Sequence, residues 1–231
     1  MQQFYSPYIT PKNSIFNFDE QESKHIARVL RKISGDSIQL TDGMGTVYYG
    51  TLEVLSQKKC LVHIDSCNRI APQNPYVHMA VAPTKSMDRF EWFVEKATEL
   101  GVQRITPLLC DHSSRKNLKL ERCSKIAVSA LKQSLRAYMP TIDPLTPIWD
   151  FKTDAAKTFM AHCADTPKKA LKEALKLQSS ICILIGPEGD FSTREINWAT
   201  EHQIEAIHLG HYRLRTETAA LAACHASILF N

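Results

Sequence analysis

The sequence predicts an α/β protein in two parts, a small antiparallel β-barrel followed by a larger, mostly parallel sheet covered by helices. Three observations predict it. The stretch Ala71-Pro72-Gln73-Asn74-Pro75 carries two prolines in four residues and reads as an extended linker. Before it, short runs alternate apolar and polar residues. After it, apolar runs alternate with helical periodicities. Cutting the chain there gives domains 1–71 and 72–231.

In the first part, Ser37 to Thr41, Thr46 to Leu55 and Lys59 to Asp65 have the alternation of half-buried strands, and Asp42-Gly43 with Gly45 supplies turn residues between the first two. One helical patch interrupts them, Glu20 to Lys32. Its apolar face is Ile26, Val29, Leu30 and Ile33, and Lys24, His25, Arg28, Arg31 and Lys32 make the rest basic. In the second part, the strand candidates are Tyr76 to Ala82, Arg104 to Leu109, Ile181 to Ile185 and Ala206 to Leu209. Helices are expected over Asp88 to Leu100, Leu118 to Tyr138, Lys168 to Leu177, Thr193 to His202 and Glu217 to Leu229. Phe90, Phe93, Val94, Ala97 and Leu100 recur at helical spacing, with Gly101 as the stop. Ser192-Thr193-Arg194-Glu195 has the form of a capping box. Strands alternating with helices argue a parallel sheet covered on both faces, with ligands gathered at the carboxyl ends of its strands.

Composition bounds the function. The 231 residues are ordinary for a globular chain, and no apolar run reaches membrane-spanning length. The amino terminus lacks a basic segment followed by an apolar one, so the cytoplasm is the expected compartment. Seven cysteines are scattered without a C-x-x-C pair, which disfavours a disulfide scaffold or a zinc site; no metal is expected. Net charge is +4, and the basic excess is densest across Arg104, Arg115, Lys116, Lys119, Arg122, Lys125, Lys132 and Arg136. Such a stripe suits a phosphate backbone, and equally a solvated helix face.

Beyond the linker only four glycines remain, Gly101, Gly186, Gly189 and Gly210. The last three follow the final two strands. Gly186-Pro187-Glu188-Gly189 leads through Asp190 into the Ser192-capped helix, and Leu209-Gly210 leads through Arg213-Leu214-Arg215 into the final helix at Thr216. Two such turns at one sheet edge can hold a nucleoside with backbone groups, although ordinary strand-to-helix turns have the same spacing. The dinucleotide G-x-G-x-x-G, the P-loop, G-x-S-x-G and H-E-x-x-H are all missing. No glycine follows the first strand of the second part, which disfavours the common class of methyltransferase.

The literal residues carry a resemblance that runs almost end to end. The matching segments are His25-Ile26-Ala27-Arg28-Val29-Leu30-Arg31, Lys85 with Asp88-Arg89, Glu95 to Val102, and Ile105-Thr106-Pro107. They continue through Glu121-Arg122, Gln133 to Arg136 with Pro140, Gly186 to Gly189, and Leu214-Arg215-Thr216-Glu217-Thr218-Ala219. In these the sequence resembles the RsmE family of bacterial 16S ribosomal RNA uridine-N3 methyltransferases, of the SPOUT superfamily. It departs from the family at Asp190, where a second glycine is usual, and at Arg213, where an aliphatic residue is usual.

The resemblance implies a PUA-like RNA-binding barrel and a SPOUT domain with a trefoil knot, acting as a homodimer on 16S rRNA of the small ribosomal subunit. It implies S-adenosylmethionine bent across three loops, contacted near Thr106, Pro107, Gly186, Pro187, Glu188, Gly189, Leu209, Gly210, Leu214, Arg215, Thr216 and Ala219. Methylating N3 requires loss of a weakly acidic proton, so the site must stabilise the uracil anion, supply a base, or both. Arg215 is the candidate electropositive group, or else a salt-bridge partner of Glu188 or Glu217. Glu217 is the candidate base, or else an ordinary acidic complement to the helix dipole. His25, Arg28, Arg31, Lys85, Arg89, Lys132 and Arg136 form the expected RNA-contact set. Two other readings are a SPOUT ribose 2′-O-methyltransferase and a ribosome-assembly factor that binds RNA without catalysis.

Overall fold

In the computed structural model, residues 2–175 and 180–230 are described. They fall into two compact units: Met1–Pro72 with Leu131–Met139, and Gln73–Ala130 with Pro140–Asn231. A single cut near residue 71 would leave Leu131–Met139 with the second unit.

The first unit is built on β1 (Gln3–Tyr5), β2 (Ile15–Asn17), β3 (Ser37–Thr41), β4 (Thr46–Ser56) and β5 (Lys59–Arg69), in the order β1-β3-β4-β5-β2. The inward residues of these strands, Phe4, Ile38, Leu40, Tyr48, Leu52, Cys60 and Val62, are buried together with Ile26. The sheet is antiparallel except between β1 and β3, which run parallel with Gln3 opposite Gln39. The long connection from β1 back to β3 permits this, whereas a tight hairpin would force the opposite sense. Residues Leu131–Met139 complete the unit. The Gln3 side-chain amide donates to Leu131 O and Arg136 O, Gly45 N donates to Ala137 O, and Tyr138 Oη donates to Ile70 O. A Cβ on Gly45 would come within 2.3 Å of the Tyr138 ring, so only glycine lets the two approach.

The helical patch differs from expectation. It forms α1 (Glu20–Lys24), capped by Asp19 Oδ1 accepting from Glu22 N, and then a π-helical turn over His25–Val29. The turn closes with Leu30 N donating to His25 O, and Arg31 follows at φ 52°. The wider winding rotates the apolar residues out of register. Ile26 is buried, but Val29 and Ile33 are 67% and 68% exposed and do not join the expected apolar face.

The second unit contains β6 (Tyr76–Val81), α2 (Met87–Leu100), β7 (Arg104–Leu109), the start of α3 (Leu120–Gln133), β8 (Thr141–Ile142), β9 (Thr146–Pro147), β10 (Lys157–Ala161) and β11 (Lys169–Ala170). It ends with α4 (Leu171–Ala174), β12 (Ser180–Ile185), α5 (Thr193–Glu201), β13 (Glu205–His208) and α6 (Thr216–Leu229). Its sheet order is β11-β13-β10-β12-β6-β7-β8, with β9 also on β7, and every one of these pairings is parallel. The central strands β6 and β12 are near-continuous apolar runs, as burial on both faces requires. Helix α2 buries Phe90, Phe93, Val94 and Ala97, and Gly101 caps it. Helix α6 presents the small residues Ala220, Ala223, Cys224 and Ser227, which let it pack closely on α2, β6 and β12.

Two expected helices are shorter than anticipated. The one over Leu118 to Tyr138 ends at Gln133, with Leu135 at φ 56°. The one over Lys168 to Leu177 is reduced to α4, because Lys169 and Ala170 pair with β13 and Leu175 is extended; Lys176 and Leu177 lie outside the described residues. Strand β10 was not expected from its sequence, yet it lies between β12 and β13 in the sheet.

Candidate active site

The two glycine turns meet at the carboxyl ends of β12 and β13. The first leaves β12 at Gly186. Asp190 N donates to Pro187 O, closing a tight turn with Asp190 at φ 61°. The predicted capping box is present: Ser192 Oγ accepts from Glu195 N, and the Glu195 carboxylate accepts from Ser192 N. The second turn leaves β13 through Gly210 at φ 136°, a backbone angle that favours glycine. Arg215 then stands at the N-cap position of α6 without a side-chain cap bond, and Thr216 Oγ1 donates to Gly186 O at 3.0 Å, fastening the second turn to the first. Asp190 Oδ2 accepts from Cys163 N at 2.7 Å, which ties the first turn to the chain leaving β10.

A cavity of about 480 Å³ opens at the ends of β10 and β13, a volume within the range of small-molecule sites. Leu209, Gly210, Leu214 and Ala219 of the expected cofactor set line it. Gly186 and Thr216, bonded to each other, are not in its lining, and neither are Arg215, Pro187, Glu188, Gly189, Thr106 and Pro107. Gly189 O instead lies 3.0 Å from His112 Nδ1, and Glu188 Oε1 accepts from Lys85 N. The Thr106 hydroxyl is committed to a network in the sheet, bonding His78 Nε2 at 2.7 Å and Asp143, which in turn pairs with Arg104. Burial is the main cause that pushes His78 down to about 4, with Arg104 adding to it. That imidazole is neutral and fully engaged.

The cavity also brings in residues that sequence reasoning missed. His162 and Cys163 follow β10, and Lys168 stands before β11. His162 is 6% exposed and neither ring nitrogen has a hydrogen-bond partner. Burial and then Lys168 hold it below the ordinary imidazole range, against an opposing effect of Asp190. Glu217 is buried in the first turn of α6. One oxygen is 3.8 Å from Arg89 Nε and the other has no partner. Arg215 is exposed, and the salt bridges considered for it do not form: Glu217 faces Arg89, and Glu188 caps Lys85 N. Among the described residues, no cluster of three His, Cys, Asp or Glu is arranged to hold a metal.

Comparison with known proteins is decisive. A family model described as an RNA methyltransferase domain matches residues 72–228, and an RNA methyltransferase PUA domain matches residues 18–65. The ribosomal RNA small subunit methyltransferase E of Bacillus subtilis is 30% identical over 230 residues, covering 91% of this chain and 88% of its own. The chain belongs to the ribosomal RNA small subunit methyltransferase E family. Its fold agrees with that of a probable rRNA-methyltransferase from Porphyromonas gingivalis, at a TM-score of 0.89 and 35% identity over 99% of this chain and 98% of that one. It also agrees with the family member from Neisseria gonorrhoeae solved bound to S-adenosyl methionine, at a TM-score of 0.87 and 27% identity over 98% and 96%.

In this family member, the expected RNA-contact residues are unequally available. In the first unit, Arg28 is exposed and donates only to Gln57 Oε1, and Arg31 is exposed at its positive φ. His25 is half-buried beside Lys132, whose Nζ is held by Glu22 at 2.9 Å and lies over the Phe4 ring. The Arg136 carbonyl accepts from Gln3. In the second unit, Lys85 is exposed and Arg89 faces Glu217. Four of the eight residues of the basic stripe are ion-paired, and Lys116 and Lys119 are exposed. Arg104 pairs with Asp143, Arg122 with Glu91, Lys125 with Glu121 and Lys132 with Glu22, while Arg115 donates to Lys85 O. It is therefore not a bare phosphate track.

Proposed function

We propose that this chain transfers the methyl group of S-adenosylmethionine to N3 of a uridine in 16S ribosomal RNA. The observation that carries the reading is the cavity itself, lined by the turn after β13 and by Ala219 of α6; Glu217, in the first turn of that helix, is buried against Arg89 outside the lining. A cavity of this size with an unsatisfied imidazole in its wall suits a nucleoside. The cofactor supplies an electrophilic methyl on a sulfonium centre. The chain must hold the uracil so that N3 approaches that methyl in line as its proton departs. Glu217 Oε2 is the group that accepts the proton, and Arg215, exposed at the cap of α6, offsets the charge that develops on the uracil oxygens.

The target base has to leave its stack to reach such a cavity, and the exposure of Arg28, Arg31 and Lys85 supports assigning phosphate contacts to them. A homodimer is part of the reading, supported by apolar side chains left open beside the cavity and at the chain end: Tyr212 is 89% exposed, Leu214 41% and Phe230 53%. Mass spectrometry of ribosomal RNA after gene deletion tests the proposal. Loss of one 3-methyluridine is expected, and its persistence would overturn the assignment. Calorimetry with S-adenosylmethionine separates an enzyme from an RNA-binding assembly factor, which has no reason to hold the cofactor.

A further inference from the structure

His162 lines the cavity, yet the reading above gives it no task. The fold's other buried histidine shows what a structural imidazole looks like here: His78 has Thr153 Oγ1 at one ring nitrogen and Thr106 Oγ1 at the other. His162 is nearly as buried and has neither. Native structures seldom leave a buried polar side chain unmatched, because each missing bond forfeits the hydration given up on folding. A ring held this way at the wall of a cavity is arranged for something that enters the cavity.

The surroundings narrow what that is. Burial and the adjacent Lys168 oppose a second proton on the ring, so His162 offers one N–H donor and one acceptor. A carboxylate would use only the donor, and an ammonium would be repelled by Lys168, which lines the same cavity. The Asp190 carboxylate, the other charge near the ring, is already bonded by Cys163 N. A hydroxyl both donates and accepts, and satisfies the ring in either tautomer. We infer that His162 hydrogen-bonds the ribose hydroxyls of the adenosyl group and so selects a nucleoside cofactor that retains them. This rests on the reading of the cavity as the S-adenosylmethionine site.

The test is a binding cycle by calorimetry on the full chain, with S-adenosylhomocysteine and its 2′-deoxy and 3′-deoxy analogues as probes. The wild-type chain is expected to bind at least one deoxy analogue about tenfold more weakly than the parent, and His162→Ala to bind the parent about tenfold more weakly. In His162→Ala, removing that hydroxyl should cost nothing further. Thermal melting of the ligand-free variant checks folding, and His162→Leu carries the same cycle if the alanine variant does not fold. Equal losses on deoxygenation in wild type and variant would overturn the inference, as would a wild type indifferent to both hydroxyls. A wild-type chain that binds no S-adenosylhomocysteine would instead overturn the cofactor reading beneath it.

Discussion

On the proposed reading Glu217 is the base of the reaction, and Arg89 is the cation it faces. Arg89 Nε lies 3.8 Å from one oxygen, and the second oxygen has no hydrogen-bond partner among the described residues. Glu217→Gln keeps the shape and removes the base. It should lower methyl transfer about a hundredfold while S-adenosylmethionine affinity stays within about twofold, read by single-turnover kinetics beside calorimetry. Equal losses in both would make Glu217 a binding residue. His78 has a different consequence. The folded ring resists protonation down to about 4, whereas an unfolded histidine takes its proton near 6.5. Acid therefore favours the unfolded chain across that window, and the stability present above pH 6.5 is lost as pH falls toward 4. Urea unfolding should show wild type losing about 3 kcal/mol more than His78→Gln between pH 7 and pH 4. Parallel pH profiles would show that the ring protonates as freely in the native state.

Among the elements, α5 carries a local signal strong enough to be read and tested. Ser192 Oγ accepts from Glu195 N and also donates to Asp111 Oδ2, so Ser192→Ala should cost about 1 kcal/mol in chemical denaturation. No measurable change would mean that the cap is replaced by water. Elements of this kind were legible from residues alone. Strand β7 was anticipated end for end, as was the Gly101 stop of α2, because their apolar spacing and stop signals act within a few residues. The two-residue strands β8, β9 and β11 are too short to have a period. Strand β10 begins Lys157-Thr158 and buries only Phe159 and Met160 fully, so its place in the sheet is set by its neighbours. His162 was invisible for the same reason, since it gains meaning only from the strand before it. The pairing of Arg104, Arg122 and Lys132 is likewise a tertiary outcome, decided by residues distant in sequence, whereas Lys125 pairs with Glu121 one helical turn away. Asp190, legible as a departure, turned out to be a tie: it holds the left-handed angle and bonds Cys163 N. In Asp190→Gly the Cys163 amide should exchange with solvent about tenfold faster; unchanged protection would show that the tie does not order that segment.

For the molecule as a whole, the modest surplus of positive charge understates how selectively it is deployed. Cations already matched by Asp143, Glu91, Glu121 and Glu22 displace few counterions from an RNA, while Arg28, Arg31, Lys85, Lys116 and Lys119, all exposed, remain to do so. The affinity for ribosomal RNA should fall steeply with salt. Replacing Arg28 and Arg31 by alanine should flatten the log–log slope by about 1.4, and Lys125→Ala by almost nothing. Equal flattening by all three would return the stripe to the binding surface.

The segment Leu131–Met139 has a consequence for the order in which the chain comes into being. When Pro72 leaves the ribosome, the first unit still lacks the residues that bond the Gln3 amide and Gly45 N. Roughly seventy more residues must be made, about 4 to 14 seconds of synthesis, before the unit can close. Through that interval its strands wait with an open face, so a nascent chain arrested near residue 100 should be cut readily by protease, and one arrested well past residue 139 should resist. The unit made first therefore cannot close until residues 73–130 of the second unit have been made.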